Sequence, residues 1–154
     1  MTYAPHRSVE ATVSVVGPAG EDMALLERPL YSSQPAAGFP APGDDLVERP
    51  LDLNELLIDD PQATFYVRVK GDSMEGARIF DGDILVVDRS ITAAPGLIVV
   101  AAVYGELVVK RIERTPDGLV LASAQEGYAP IPLYEAEDCV VWGVVTGTVR
   151  VLNE

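Results

Sequence analysis

The chain is poor in the residues that most active sites use. Its 154 residues include one histidine, His6, and one cysteine, Cys139. A single cysteine cannot close an internal disulfide, so the composition fits a reducing cytosol. One His and one Cys cannot supply a zinc set. The acidic pairs Asp44-Asp45 and Asp59-Asp60 lack the spacing of a calcium loop, so no metal and no other cofactor is expected. Basic charge is scarce too. Lys and Arg total 11 against 24 Asp and Glu, for a net charge of -13. The basic residues form no stripe or basic helix, which argues against direct nucleic-acid binding. An acidic balance favours protein partners or simple solubility. No apolar run approaches the ~18–20 residues of a membrane span; the longest is Leu97 to Tyr104. Residues Met1 to Arg7 lack a basic stretch followed by an apolar one, so no signal peptide is read.

What remains is apolar content enough for a core, 48% of the chain. The length suits one compact domain with a loose arm. Residues 1 to about 45 carry Pro5, Pro18, Pro29, Pro35, Pro40 and Pro42 and read as an arm. Within it Val13-Ser14-Val15-Val16 could pair as a short strand. The stretch from Gln34 to Gly43 is small and proline-rich, so it is expected to be extended and mobile. Asp52 to Ile58 reads as a short helix, with Asp52 as N-cap and Glu55 three residues on, and Pro61 limits it. Strands then dominate: Thr64 to Lys70, Ile84 to Val87, Leu97 to Val103, Leu107 to Ile112, Leu119 to Ala122 and Val140 to Leu152. Turn residues between them point to a compact all-β body.

The chemistry centres on Gly71-Asp72-Ser73-Met74 and on Lys110, 37 residues after Ser73. A nucleophilic serine needs a base, and the body of the chain has no histidine. Only two lysines exist, Lys70 and Lys110. Strand parity separates them. Lys110 shares a face with Val108 and Ile112, whereas Lys70 shares one with Tyr66 and Arg68. Lys110 is therefore expected to point toward the core and Lys70 toward solvent. Burial disfavours an ammonium, and a neutral amine can take a proton from a serine hydroxyl. Met74 to Arg78 could form one helical turn after Ser73, and its free N–H groups could receive an oxyanion. The ordinary alternatives are a lysine that snorkels at a strand end and a serine that merely caps a turn. Asp72 reads as a turn former, with no role in catalysis.

A wider set of segments extends this pair. Gly71-Asp72-Ser73-Met74, Asp81-Gly82-Asp83-Ile84-Leu85-Val86-Val87-Asp88 and Val108-Val109-Lys110-Arg111 stand in fitting order and spacing. With them go Gly38-Phe39-Pro40-Ala41-Pro42, Leu51 to Ile58, Ile91-Thr92-Ala93, Ile98 to Val103 and Gly143-Val144-Val145. Together they resemble the LexA/UmuD family of self-cleaving serine peptidases, nearest its UmuD branch, over roughly residues 37 to 150. The resemblance implies a mainly β body of the C-terminal β-clip type, with an extended N-terminal arm and one short helix. It implies Ser73 as nucleophile and Lys110 as general base, with the backbone N–H groups of Ser73 and Met74 for the oxyanion. It places the cut at Ala37-Gly38, 36 residues before Ser73. The parts would then be an arm, 1–37, an extended linker, 38–50, and a peptidase-like body, 51–154. The implied partners are a RecA filament on single-stranded DNA, a second copy in a homodimer, and a UmuC-type error-prone polymerase, in the cytoplasm of a bacterium responding to DNA damage.

Two features depart from the UmuD pattern. Ala37 stands where that branch typically has cysteine, as in LexA-type sites, and the arm before it is longer. No helix-turn-helix fits into the proline-interrupted residues before Ala37, which disfavours a repressor. Three other readings stay open: a non-catalytic dimeric module that binds a polymerase, a peptidase acting on other proteins, and a phage-repressor body.

Overall fold

The computed structural model describes residues 9–18, 28–31, 47–133 and 139–153. Ten strands and one short α-helix make up this part, so the body is mainly β. In chain order they are β1 (Thr12–Pro18), β2 (Arg28–Tyr31), β3 (Val47–Leu51), α1 (Leu53–Leu57), β4 (Thr64–Lys70), β5 (Ile84–Asp88), β6 (Ile98–Val103), β7 (Glu106–Thr115), β8 (Gly118–Ala122), β9 (Ile131–Pro132) and β10 (Cys139–Val149).

The large sheet runs β1-β4-β5-β10-β6-β7-β8-β9, and β1 also pairs with β7. That extra pairing closes six strands, β1, β4, β5, β10, β6 and β7, into a ring, with β8 and β9 continuing beyond it. Closure removes the free edges that an open sheet presents. The ring is thus completed by residues near the N-terminus: Thr12 pairs with Lys70 on one side and with Val108 on the other. A second, two-stranded sheet pairs β2 with β3, with Pro29 opposite Pro50. Ala37 and Gly38 lie between these strands in the chain and outside the described residues.

The strand patterns follow from which faces are covered. On β4, Val67 and Val69 are buried while Arg68 and Lys70 are exposed, the alternation of a strand with one inner face. On β6 and β7 both faces are covered. Val100 and Val109 join one core cluster with Val67, Val69, Leu85, Val87 and Met74. Val99, Ala101, Val108 and Ile112 join a second cluster with Leu121 and Val144. Hence these two strands read as nearly unbroken apolar runs. Tyr104 and Gly105 both take positive φ and form the two-residue turn joining them. Helix α1 begins where its cap predicts: the Asp52 carboxylate accepts from the N–H groups of Asn54 and Glu55. Its Leu57 and the next residue, Ile58, pack with Val86 and Tyr66 on the outer side of the β4–β5 pair.

Residues 71–83 link β4 to β5 and are anchored at both ends. The Asp81 carboxylate accepts the Gly71 N–H at 2.9 Å. The buried Asp83 accepts the Phe80 N–H and a two-pronged bond from the Arg150 guanidinium, at 2.6 and 2.7 Å. The Arg150 bonds hold the Asp83 carboxyl below its ordinary value of 3.8. A depressed carboxyl contributes stability above its unfolded value and loses it as pH falls through the folded one. Asp83→Asn is therefore expected to lower Tm at neutral pH by on the order of 5 °C. The gap from the parent should narrow below about pH 4. Thermal melts from pH 7 to pH 3 check this, and a gap that widens in acid contradicts it.

Candidate active site

Ser73 sits just after the end of β4. A 3₁₀ turn, Glu75–Ala77, follows it and ends at Arg78 in the left-handed conformation. The serine is fully buried at 0% exposure, as is Met74. Its position is fixed by the end of the β7–β8 hairpin: Ala124 N–H donates to the Ser73 carbonyl at 3.1 Å, and Gly76 N–H donates to the Ala124 carbonyl at 3.0 Å. Gly76 has no room for a side chain, because a Cβ there would stand 2.0 Å from the Ala124 oxygen.

Lys110 lies in the middle of β7, opposite Val99 of β6. It is 1% exposed, whereas Lys70 is exposed at the end of β4. The two lysines thus take the orientations that strand parity predicts. The Lys110 ammonium donates to Ser123 Oγ, lies 5.4 Å from the centre of the Tyr128 ring, and pairs with Glu10 Oε1 at 2.8 Å. The Ser73 hydroxyl donates to the same Glu10 Oε1 at 3.1 Å. One carboxylate oxygen therefore touches both side chains, which brings Ser73 and Lys110 to a common point.

The residues around Glu10 fill the rest of the cleft. Ala11 N–H donates to Ser73 Oγ at 2.7 Å. The Val9 carbonyl accepts from two backbone groups, Asp72 N–H at 2.7 Å and Ser73 N–H at 2.9 Å. Two adjacent backbone N–H groups thus converge on one carbonyl oxygen. The sequence pointed to the N–H groups of Ser73 and Met74; here it is those of Asp72 and Ser73 that share an acceptor. The Asp72 carboxylate accepts the Val9 N–H in return. Glu10, Ser123 and Tyr128 were not legible in the sequence, since none belongs to a spaced motif. Among the described residues no group of three or more His, Cys, Asp and Glu side chains could hold a metal ion. Among the same residues no helix is long and apolar enough to cross a membrane.

A closed β-body thus buries a serine and a lysine around one acceptor. The chain belongs to the Peptidase S24-like family, which matches residues 29–146, and so to the LexA/UmuD family of self-cleaving peptidases. It is 41% identical over 122 residues to protein MucA of Escherichia coli, covering 77% of this chain and 81% of that protein. It is 38% identical over 140 residues to protein ImpA of Shigella flexneri, covering 89% and 92%. LexA repressor 1 of Xanthomonas oryzae pv. oryzae is 38% identical over 138 residues, covering 90% of this chain and 67% of the repressor.

Proposed function

We propose that this is a UmuD-like protein of the response to DNA damage, which cuts its own chain between Ala37 and Gly38. The observation that carries the reading is the shared contact of Ser73 and Lys110, both buried, with one oxygen of Glu10. The shared acceptor draws both side chains to one point, and the proposed proton transfer takes place there once the carboxylate has left. In the proposed reaction neutral Lys110 takes the Ser73 hydroxyl proton, and Ser73 Oγ bonds to the Ala37 carbonyl carbon. The oxyanion is received by the N–H groups of Asp72 and Ser73, which hold the Val9 carbonyl in the described state. The bond to the Gly38 nitrogen then breaks as Lys110 returns the proton to it. Water hydrolyses the Ser73 ester and leaves a carboxylate on Ala37. The products are 1–37 and 38–154.

A RecA filament on single-stranded DNA is the proposed stimulus, acting by favouring the state in which residues 37 and 38 occupy the cleft. The trimmed chain, as a homodimer, is the proposed subunit of a UmuC-type error-prone polymerase. Incubation with RecA filaments at neutral pH should give a product whose first residue is Gly38, at least about tenfold faster than without filaments. Intact mass and N-terminal sequencing read the outcome. No acceleration, under conditions where a known homologue is cut, would remove the RecA part of the proposal.

A further inference from the structure

Residues 9–12 lie in the cleft as a bound peptide would. The Val9 carbonyl occupies the paired N–H groups of Asp72 and Ser73. One oxygen of the Glu10 carboxylate accepts a hydrogen bond from the Ser73 hydroxyl and pairs with the Lys110 ammonium. Ala11 is fully buried, gives its N–H to Ser73 Oγ, and receives the Val109 N–H on its carbonyl at 3.0 Å. Thr12 then enters β1, whose pairing with β4 runs from Thr12–Lys70 to Pro18–Phe65. Gly71 is shaped to this segment, since a Cβ there would meet the Glu10 carbonyl oxygen at 2.2 Å.

Each contact uses a group that peptide-bond attack requires. The serine proton points to a carboxylate instead of an amine. The Ala11 N–H takes up a lone pair on Ser73 Oγ. Lys110 is engaged by Glu10 and Ser123. The two N–H groups that would stabilise an oxyanion are filled by the Val9 carbonyl. Backbone pairing gives the segment affinity, as in strand-addition recognition, and the glutamate fits it to a serine–lysine pair.

We infer that residues 9–12 are a built-in pseudosubstrate, with Glu10 as its key side chain, that occupies the cleft and must leave before the Ala37-Gly38 bond can enter. The inference rests on the self-cleavage reading and adds its regulation. The cleft is then a site for an extended peptide carrying an acidic residue, filled in this chain by its own N-terminal segment. A partner that draws residues 9–12 away would activate cutting without touching the serine or the lysine.

The test uses the full chain, Glu10→Gln, and a deletion of residues 2–10 that keeps Ala11 and β1. Two quantities are read: amide hydrogen exchange at Asp72 and Ser73 during brief labelling, and the rate of appearance of the fragment beginning at Gly38. Loss of the charged contacts should raise both by roughly tenfold in Glu10→Gln and at least as much in the deletion. Faster exchange with unchanged or slower cutting overturns the inhibitory role. Unchanged exchange overturns the seating of the segment itself. If none of the three chains is cut in alkali, the self-cleavage reading fails, and the inhibitory role falls with it.

Discussion

Lys110→Ala is expected to slow release of the fragment beginning at Gly38 by at least about 1,000-fold, and Ser73→Ala to abolish it. Lys70→Ala should leave the rate within about twofold, as expected for a surface change. The contrast follows from where the two lysines stand. Lys70 ends β4 with its side chain exposed, whereas Lys110 is 1% exposed and reaches the oxygen that Ser73 also reaches. Removing Lys110 leaves Glu10 and Ser123 without their cation, so stability must be measured alongside rate. Lys110→Met keeps most of the buried stem and separates packing from chemistry. If Lys110→Met folds with a near-parental Tm and is not cut, the proton role stands. Parental cutting in either variant would remove Lys110 from the mechanism. Time courses by intact mass, paired with thermal melts, give both quantities.

Gly76→Ala is expected to have the second largest effect. Gly76 is exposed, and by exposure alone the change looks harmless. Its Cβ would nevertheless stand 2.0 Å from the Ala124 oxygen and 3.1 Å from the Ala124 carbonyl carbon. Both are backbone atoms, which cannot rotate aside. Relief requires parting the 3₁₀ turn from residue 124, which loosens the Gly76 to Ala124 bond and the neighbouring Ala124 to Ser73 bond. The expected loss of stability is about 1–3 kcal/mol, the range for forced overpacking. The expected loss of cutting rate is about 100-fold, the scale for displacing a reacting group by about 1 Å. Glu75→Ala, at an exposed neighbour, should change neither quantity appreciably. Urea unfolding and the cutting time course check the pair. A Gly76→Ala chain of parental stability and rate would show that the turn shifts without moving Ser73.

What the sequence allowed to be read, and what it did not, follows the range of the interactions. Local patterns carried well. Alternation in Thr64–Lys70 gives β4, Asp52 gives the start of α1, and Met74 to Arg78 contains the 3₁₀ turn. Lys110 stands out because it interrupts an apolar run, and parity then gives its direction. The run on β7 is apolar on both faces because two core clusters flank it. Interactions between distant segments left no local trace. Glu10 lies 100 residues before Lys110 in an unremarkable stretch, and only the docking of β1 brings them together. Of β1 itself, only Val13 to Val16 was readable as a strand. The β2–β3 pair was hidden by Pro29 and Pro50, which argue locally against a strand yet stand opposite each other in a small two-stranded sheet.

The central claim is that Ser73 and Lys110 cut the Ala37-Gly38 bond of their own chain. Intact-mass spectrometry of the purified full-length protein in alkali, with no other protein present, tests it most directly. Alkali favours neutral amines over ammonium groups. Two fragments are expected, 1–37 and 38–154, whose masses sum to that of the parent plus one water, and neither fragment from Ser73→Ala. A full-length chain that persists under conditions that cut a self-cleaving member of the family, or a cut elsewhere that survives Ser73→Ala, would contradict it.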